Sequence, residues 1–447
     1  MESPNLDQLI ASATLGVDTL WGGDVMSASG VGRSIADSWF ADQPLPTAYT
    51  HPLAAKLRAS QGVNGTPPDR ATIDAYLKEV DVRGSILAIA AEAQALGGAR
   101  GKGLAGLALC FEVMWDLAME LLEKGPAVPY DRCVRAVTGA APSPSTPDER
   151  RRRVADLLKA AGYFSPGGDL LAAAEAWRAE RMVPRRSIPA LGAAFIAQLD
   201  ALTVEHVLPH LPRDLARVPR ANVVLLPIEN AWFSGSMNYI GRARNADGSP
   251  QYEATYEINA GLEISVPEFQ QLISHEVVPG HVTTFAYLQD MFVRRKVGFE
   301  ASVLTMNTRG SVLFEGIANN AILMAYGVLE ESELPDRDLE LGCLLALLQD
   351  DAKNQASYST WHDGLPQPEV AAILRRDFLV SEERAEKLSG PWGRNPLSGR
   401  MYLPSYRFGT ELVARLRREH PAERVLPALF GCKGLVDVVT IQETLQG

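Results

Sequence analysis

The sequence predicts a mainly α-helical α+β protein with one small β-sheet placed just before a histidine-containing motif. Three observations predict it. Apolar residues at helical spacing dominate both halves of the chain, as in Ile86 to Ala90 and Leu104 to Lys124. Strand-like runs are confined to Asn222–Leu226 and Ala254–Asn259. No repeat period is evident, which argues against a solenoid.

Residues 1 to about 80 carry Pro, Gly and Ser punctuation between short helical pieces, such as Ile35 to Phe40 ahead of a turn at Gln43–Pro46. From about Val82 helices take over, interrupted at Gly97–Gly103. That glycine stretch lacks the spacing and the Ser/Thr after lysine of a phosphate loop, and no strand runs into it. In the apolar stretch Leu104–Leu122, Glu112, Asp116 and Glu120 recur every four residues, marking the wet face of an amphipathic helix rather than a membrane span. Tyr130–Val137 is the next helix. The Pro- and Ser-rich segment 140–149 is an exposed connection ending in a helix start, with Thr146 as cap and Pro147 in the first turn. The basic run Arg150–Arg153 then reads as a solvated helix face. Further helices are expected at about 148–162, 168–182 and 189–207. Two buried strands follow, separated by a glycine-containing stretch at 234–249. Beyond Phe269 the pattern is again helical, including a helix at 406–418. The expected organisation is an N-terminal helical region, 1–145, and a second region, 146–447, carrying the small sheet at about 220–260, joined as one compact unit.

Composition narrows the function. With 43 Lys+Arg against 54 Asp+Glu the net charge is −11, which argues against nucleic acid or an anionic membrane as partner. Cys110, Cys133, Cys343 and Cys432 form no CxxC or Cys/His pair, so neither a disulfide framework nor a thiolate zinc site is indicated. The first residues lack the basic start and apolar run of a signal peptide. A cytoplasmic location is the expectation; the oligomeric state stays open.

The chemistry is concentrated in His275-Glu276-Val277-Val278-Pro279-Gly280-His281. Two imidazoles and a carboxylate in an apolar segment are the parts of a metal-hydrolase centre. In the short zinc-peptidase motif the histidines stand four apart on one helix face. Here the second follows six positions after the first, and on a regular helix that leaves the rings about 120° and about 9 Å apart. A straight helix would not bring both to one ion. Pro279, which clashes with the carbonyl of His275, and Gly280, which tolerates unusual dihedrals, are the expected means of distorting the helix and swinging His281 back.

An open catalytic site usually takes three protein ligands and a water. Glu315, in the apolar helical context Val312–Ala321 and followed by Gly316, is the better candidate for the third. Glu300 is its competitor, although Arg294, Arg295 and Lys296 offer it a surface ion pair.

These elements resemble the bacterial family called domain of unknown function 885, whose members are similar to zincin-type, gluzincin-like metallopeptidases. The family pattern His-Glu-x-x-Pro-Gly-His-His is matched from His275 to His281, its Glu-Gly-Trp-Ala by Glu315–Ala318, and its Tyr-Lys-x-Gly by Tyr406–Gly409. A further family histidine corresponds to His362. Val282 stands where the family has a second consecutive histidine and Ile317 where it has tryptophan; the similarity spans about residues 220–420.

The expected function is a zinc-dependent hydrolase of peptide or other amide bonds. His275, His281 and Glu315 would hold one Zn²⁺, Glu276 would act as general base, and Tyr406, Arg407 or His362 would donate to the developing oxyanion. Fe²⁺, Mn²⁺ or Co²⁺ is not excluded. Two histidines and one carboxylate also describe a non-haem iron oxygenase, and a metal-assisted cyclase or lyase uses similar ligands. A non-catalytic helical binding protein with a decayed site is the third reading. The expected partner is a peptide or small amide substrate, for which Asn230, Trp232 and Asn259 are candidate cleft residues. A strand beside the metal helix could pair with an extended substrate.

Overall fold

The structure, a computed structural model, describes residues 5–21, 44–61, 69–228, 235–239, 241, 243–259, 263–303 and 306–446. The helical piece expected at 35–40 and the cleft candidates Asn230 and Trp232 lie outside these residues. The described chain is mainly α-helical with one small sheet.

In the N-terminal part, α1 (Leu6–Trp21) packs across α2 (Val82–Leu96) and α3 (Gly98–Leu121). The break between α2 and α3 is shorter than expected. Gly97 and Gly98, at φ of 61° and 60°, make the turn, and helix resumes at once. These are backbone conformations that a residue with a Cβ adopts only under strain. The apolar side of α3 is buried, while Glu112 and Asp116 meet Arg132 and Glu120 meets Arg400.

The helix Asp148–Ala160 begins with Pro147 in the cap position and without a side-chain cap, one residue later than expected from Thr146. Its basic run is not simply solvated. Arg150 pairs with buried Asp351, Arg153 with buried Glu340 at 2.5 Å, and Arg151 with Asp377 at 3.2 Å. The cations therefore fasten this helix to its neighbours. The next long helix, α4 (Ile188–His206), buries the stripe Ile188, Gly192, Phe195, Leu199 and Thr203. By length and composition the segment Arg185–His210 could cross a membrane, but Phe195 sets its ring edge-on against Phe269 of the core, 5.9 Å away.

The sheet has three strands, β1 (Val223–Ile228), β2 (Gly235–Tyr239) and β3 (Ala254–Asn259), in the order β1-β3-β2. β1 runs parallel to β3 and β2 antiparallel to it. β2 falls inside the stretch expected to be a connection, because Gly-Ser-Met-Asn-Tyr has no β-branched residue to mark it. In β3, Ala254, Tyr256 and Ile258 alternate into the core. Since β3 is central, both of its edges are taken. Among the described strands, β1 and β2 each keep an outer edge that no other strand pairs with.

The site is built from five helices that follow: α5 (Val266–Glu276), α6 (His281–Val293), α7 (Arg309–Asn319), α8 (Arg337–Trp361) and α9 (Leu403–Glu419). α5 starts three residues before Phe269 because Ser265 caps it, its hydroxyl accepting from the Glu268 backbone N–H and donating to the Glu268 carboxylate at 2.7 Å. α8 is a buried spine. Its N-terminal half carries Leu341, Leu344, Leu345 and Leu348 against Val154, Leu158 and Trp177, and its C-terminal half carries Ala352 and Ala356 against Val370, Leu374 and Phe378. The main hydrophobic core draws on residues from Leu9 to Leu445, so the two regions expected from the sequence share it.

Candidate metal centre

The histidine motif is divided between two helices. α5 stops at Glu276 and α6 begins at His281, so the helix is broken rather than bent. Residues 277–280 form the connecting turn, in which the Val278–Pro279 peptide is cis. The Gly280 N–H donates to the Ser274 carbonyl at 3.0 Å, and a Cβ on Gly280 would lie 1.8 Å from the His275 carbonyl oxygen. Only glycine fits there. The turn returns the chain on itself and sets the two imidazoles perpendicular, at 89°, with ring centroids 4.8 Å apart. His281 stacks on Phe285, one turn along α6, at 5.7 Å.

Glu315 comes from α7 and completes the cluster. Its Oε2 lies 3.4 Å from His275 Nε2 and 3.8 Å from His281 Nε2, and the three ligand atoms all stand within 4.8 Å of one another. Atoms held about 2.0–2.2 Å from a tetrahedral ion stand roughly 3.3–3.6 Å apart, so the spacing suits one zinc-sized cation. Glu315 Oε2 is also buried without a hydrogen-bond partner. A carboxylate oxygen left this way among imidazole nitrogens fits a cation between them.

The support of these ligands is specific. His275 Nδ1 lies 2.8 Å from Asn319 Oδ1, and the Asn319 amide donates to Thr410 Oγ1 at 2.7 Å. Thr410 in turn donates to the Tyr406 carbonyl. With Asn319 presenting its oxygen, His275 keeps a proton on Nδ1 and directs Nε2 to the cluster. Tyr402 donates to the other oxygen of Glu315 at 2.7 Å, and its hydroxyl lies 2.7 Å from that of Tyr406.

Two glycines bring α7 and α9 together. A Cβ on Gly316 would stand 2.4 Å from the Gly409 carbonyl oxygen, and one on Gly409 would stand 2.2 Å from that of Val312. The helices thus touch backbone to backbone. That contact is what lets Glu315, directly before the first glycine, share a site with Tyr406, three residues before the second.

Charges in the cluster are strongly perturbed. Burial pushes the Glu276 carboxyl up to about 7, with Glu315 and Asp350 acting in the same direction against His275 and Lys353. Burial brings His281 down to about 4. It also pulls on His275, but contact with Glu315 and the charge of Glu276 outweigh it and raise the imidazole above its ordinary value. Burial alone would raise Glu315, yet His275 and His281 hold it below the usual carboxylate range. Tyr256 of β3 lies close enough to Glu276 to feel its charge.

The chain shares its fold with two bacterial proteins of solved structure. One is described as a "putative lipoprotein" from Colwellia psychrerythraea, with 14% identity and a TM-score of 0.54, covering 94% of this chain and 73% of its own. The other is described in the same words, of unknown function, from Shewanella oneidensis, with 16% identity and a TM-score of 0.52, covering 96% of this chain and 83% of its own. No protein-family model matches the chain, and no curated protein matches it significantly. At these identities the likeness is one of fold alone.

The expected site residues divide cleanly. His275, Glu276, His281, Glu315 and Tyr406 converge. Glu300 does not join them; it is bound by Arg100 at 2.6 Å, rather than by the basic run 294–296. Arg407, next to Tyr406, turns to Glu411 at 2.8 Å and to the Ser143 and Pro144 carbonyls. His362 is half exposed, stacked on Tyr358 and bonded to Asp363 at 2.8 Å. Neither is placed at the metal cluster. Asn259 lies at the end of β3, partly buried.

Four residues at the site escaped the sequence reading. Asn319 follows Glu315, and Tyr402 precedes Tyr406, by four positions, a spacing that shares a helix face. Tyr402 lies just before α9, which starts three residues earlier than the expected 406. Lys353 reaches over the Tyr406 ring, 3.2 Å from its centroid, and pairs with Asp350 at 2.7 Å. Both charges come from α8, whose burial on all sides gives no amphipathic face to read.

Proposed function

We propose that this protein is a metal-dependent hydrolase of amide bonds, with His275, His281 and Glu315 as the ligands of one divalent cation, most simply Zn²⁺. The observation that carries the reading is the convergence of three ligand atoms beside Glu276, a partly buried carboxylate poised near neutrality. Three protein ligands are the number an open catalytic site uses. The resemblance of the motifs to the metallopeptidase-like family supports the same reading.

The bound cation would supply Lewis-acid chemistry and a water acidic enough to be deprotonated near neutral pH. The chain does the rest. Glu276 accepts the proton of the attacking water and passes it to the leaving amine. A carboxyl with a pKa near working pH is suited to both transfers. Tyr406, whose hydroxyl burial keeps protonated, donates to the oxygen that gains charge. Tyr402 holds Glu315 from one side and the Tyr406 hydroxyl from the other. Asn319 fixes the His275 tautomer. No other described strand pairs with the outer edges of β1 and β2, where an extended substrate could add by backbone hydrogen bonds.

Metal analysis of protein purified without added metal, paired with hydrolysis of a mixed N-acyl dipeptide set, tests the proposal. Turnover should disappear on chelation and return with Zn²⁺. Iron with oxygen-dependent turnover would overturn it.

A further inference from the structure

Arg384 is a partly buried cation that makes no ion pair among the described residues. It lies on the short helix Glu382–Lys387, and burial depresses its pKa even though an arginine must stay charged. Its Nε is covered and has no acceptor. The neighbouring acids are committed elsewhere among the described residues: Glu383 to Lys387 at 2.6 Å, Glu382 to Arg375 at 3.3 Å, and Asp350 to Lys353 at 2.7 Å. A guanidinium whose Nε is covered and unpaired stays incompletely satisfied unless something else pairs with it.

Its surroundings say where that partner would come from. Asp350 and Tyr406 lie close enough to Arg384 to act on it electrostatically, and Lys353 lies close enough to feel its charge. Tyr406 is linked through the Tyr402 hydroxyl to Glu315, so the free cation belongs to the wall that carries a metal ligand. Trp392 flanks the guanidinium with its ring centroid 5.7 Å from Cζ. Although deep, the residue keeps some contact with solvent.

We propose that Arg384 binds a carboxylate of the substrate, so that the enzyme acts on an amide bond adjacent to a free carboxyl group, as at the C-terminal end of a peptide or in an N-acyl amino acid. The proposal rests on the hydrolase reading for its chemistry, but not for the binding site. A planar guanidinium matches a carboxylate with two parallel hydrogen bonds. Asp350 and Glu383 nearby disfavour a doubly charged phosphate more than a singly charged carboxylate.

Calorimetric titration of the chelated, full-length protein with N-acetyl-L-leucine, N-acetyl-L-phenylalanine and their primary amides tests the site without the metal. At least one acid should bind about 10- to 100-fold more tightly than its amide, the range expected for hydrogen bonds to a charged group. Arg384→Gln should erase that preference and Arg384→Lys restore part of it. Thermal unfolding checks both variants; Arg384→Gln removes an uncompensated charge and should unfold no earlier than the wild type. Binding of neither acid, equal binding of acid and amide, or a preference that survives Arg384→Gln would overturn the proposal. So would inorganic phosphate competing as well as the acids.

In the metal-loaded protein, the ratio of kcat/KM for an N-acyl dipeptide over its C-terminal amide should fall towards one in Arg384→Gln. Acid-selective binding without any hydrolysis would overturn the hydrolase reading and uphold the carboxylate site. Hydrolysis of both substrates at equal rates would do the reverse.

Discussion

Replacing Glu276 by glutamine removes a charge that the fold holds at considerable cost while keeping the side chain's shape. Burial lifts this carboxyl from 4.5 to about 7. At 1.36 kcal/mol per pKa unit, that rise corresponds to about 3 kcal/mol of stability. The direction follows from the raised folded pKa: the contribution is present below pH 4.5 and is lost as pH climbs through about 7. Unfolding of chelated wild-type and Glu276→Gln proteins by denaturant should therefore give similar midpoints near pH 4.5. Above pH 8 the variant should be the more stable by up to about 3 kcal/mol. Comparing the two proteins at each pH cancels other titrating groups. With Zn²⁺ restored, the variant should bind the metal and lose turnover. A variant that gains no stability at high pH would refute the buried environment assigned to Glu276, and one that still turns over would refute its role as base.

Asn319→Leu removes the acceptor that orients His275; metal affinity, measured by competition with a chromophoric chelator, should fall about 10- to 100-fold. Gly316→Ala would gain about 1 kcal/mol of helix propensity in an open helix. Because its Cβ would strike the Gly409 carbonyl at 2.4 Å, the unfolding midpoint should instead drop, by about 1–3 kcal/mol or more. Metal binding near neutral pH should release about one proton, since Glu315 keeps His275 protonated until a cation displaces it; calorimetry in buffers of different ionisation enthalpy measures the release. Tyr406→Phe should lower kcat by about 10²–10³ with little change in KM, if its hydroxyl meets the oxyanion.

The helical class, the helices at 130–138, 148–160, 170–180 and 188–206, and the strands β1 and β3 were legible from apolar residues at helical or strand-like spacing. β2 was not. It has no β-branched residue and is held in place by β3, a long-range cause that local pattern cannot carry. The basic run at 150–153 was misread for a related reason: its counter-ions Asp351 and Glu340 lie some two hundred positions away on α8, and a charge pattern names its partners only when they share a helix.

The ligands of the site were legible, and their support was not. His275, His281 and Glu315 stand out because imidazoles and a carboxylate in apolar segments are chemically conspicuous. What brings them together is less visible in the sequence: a six-residue spacing converted into a helix break, and two glycines ninety-three positions apart. The glycines explain why the three sequence elements form one site. Gly280 allows the return of His281, Gly316 lets α7 approach α9, and Gly409 lets α9 approach α7. Each is a place where a single Cβ would meet a carbonyl oxygen, so each couples the geometry of a ligand to the packing of a helix pair. It follows that loss of metal through Gly409→Ala should track loss of helix packing, whereas loss through Asn319→Leu should leave packing intact. Measuring metal affinity and unfolding midpoint together on the two variants separates the scaffold of the site from the orientation of its ligands.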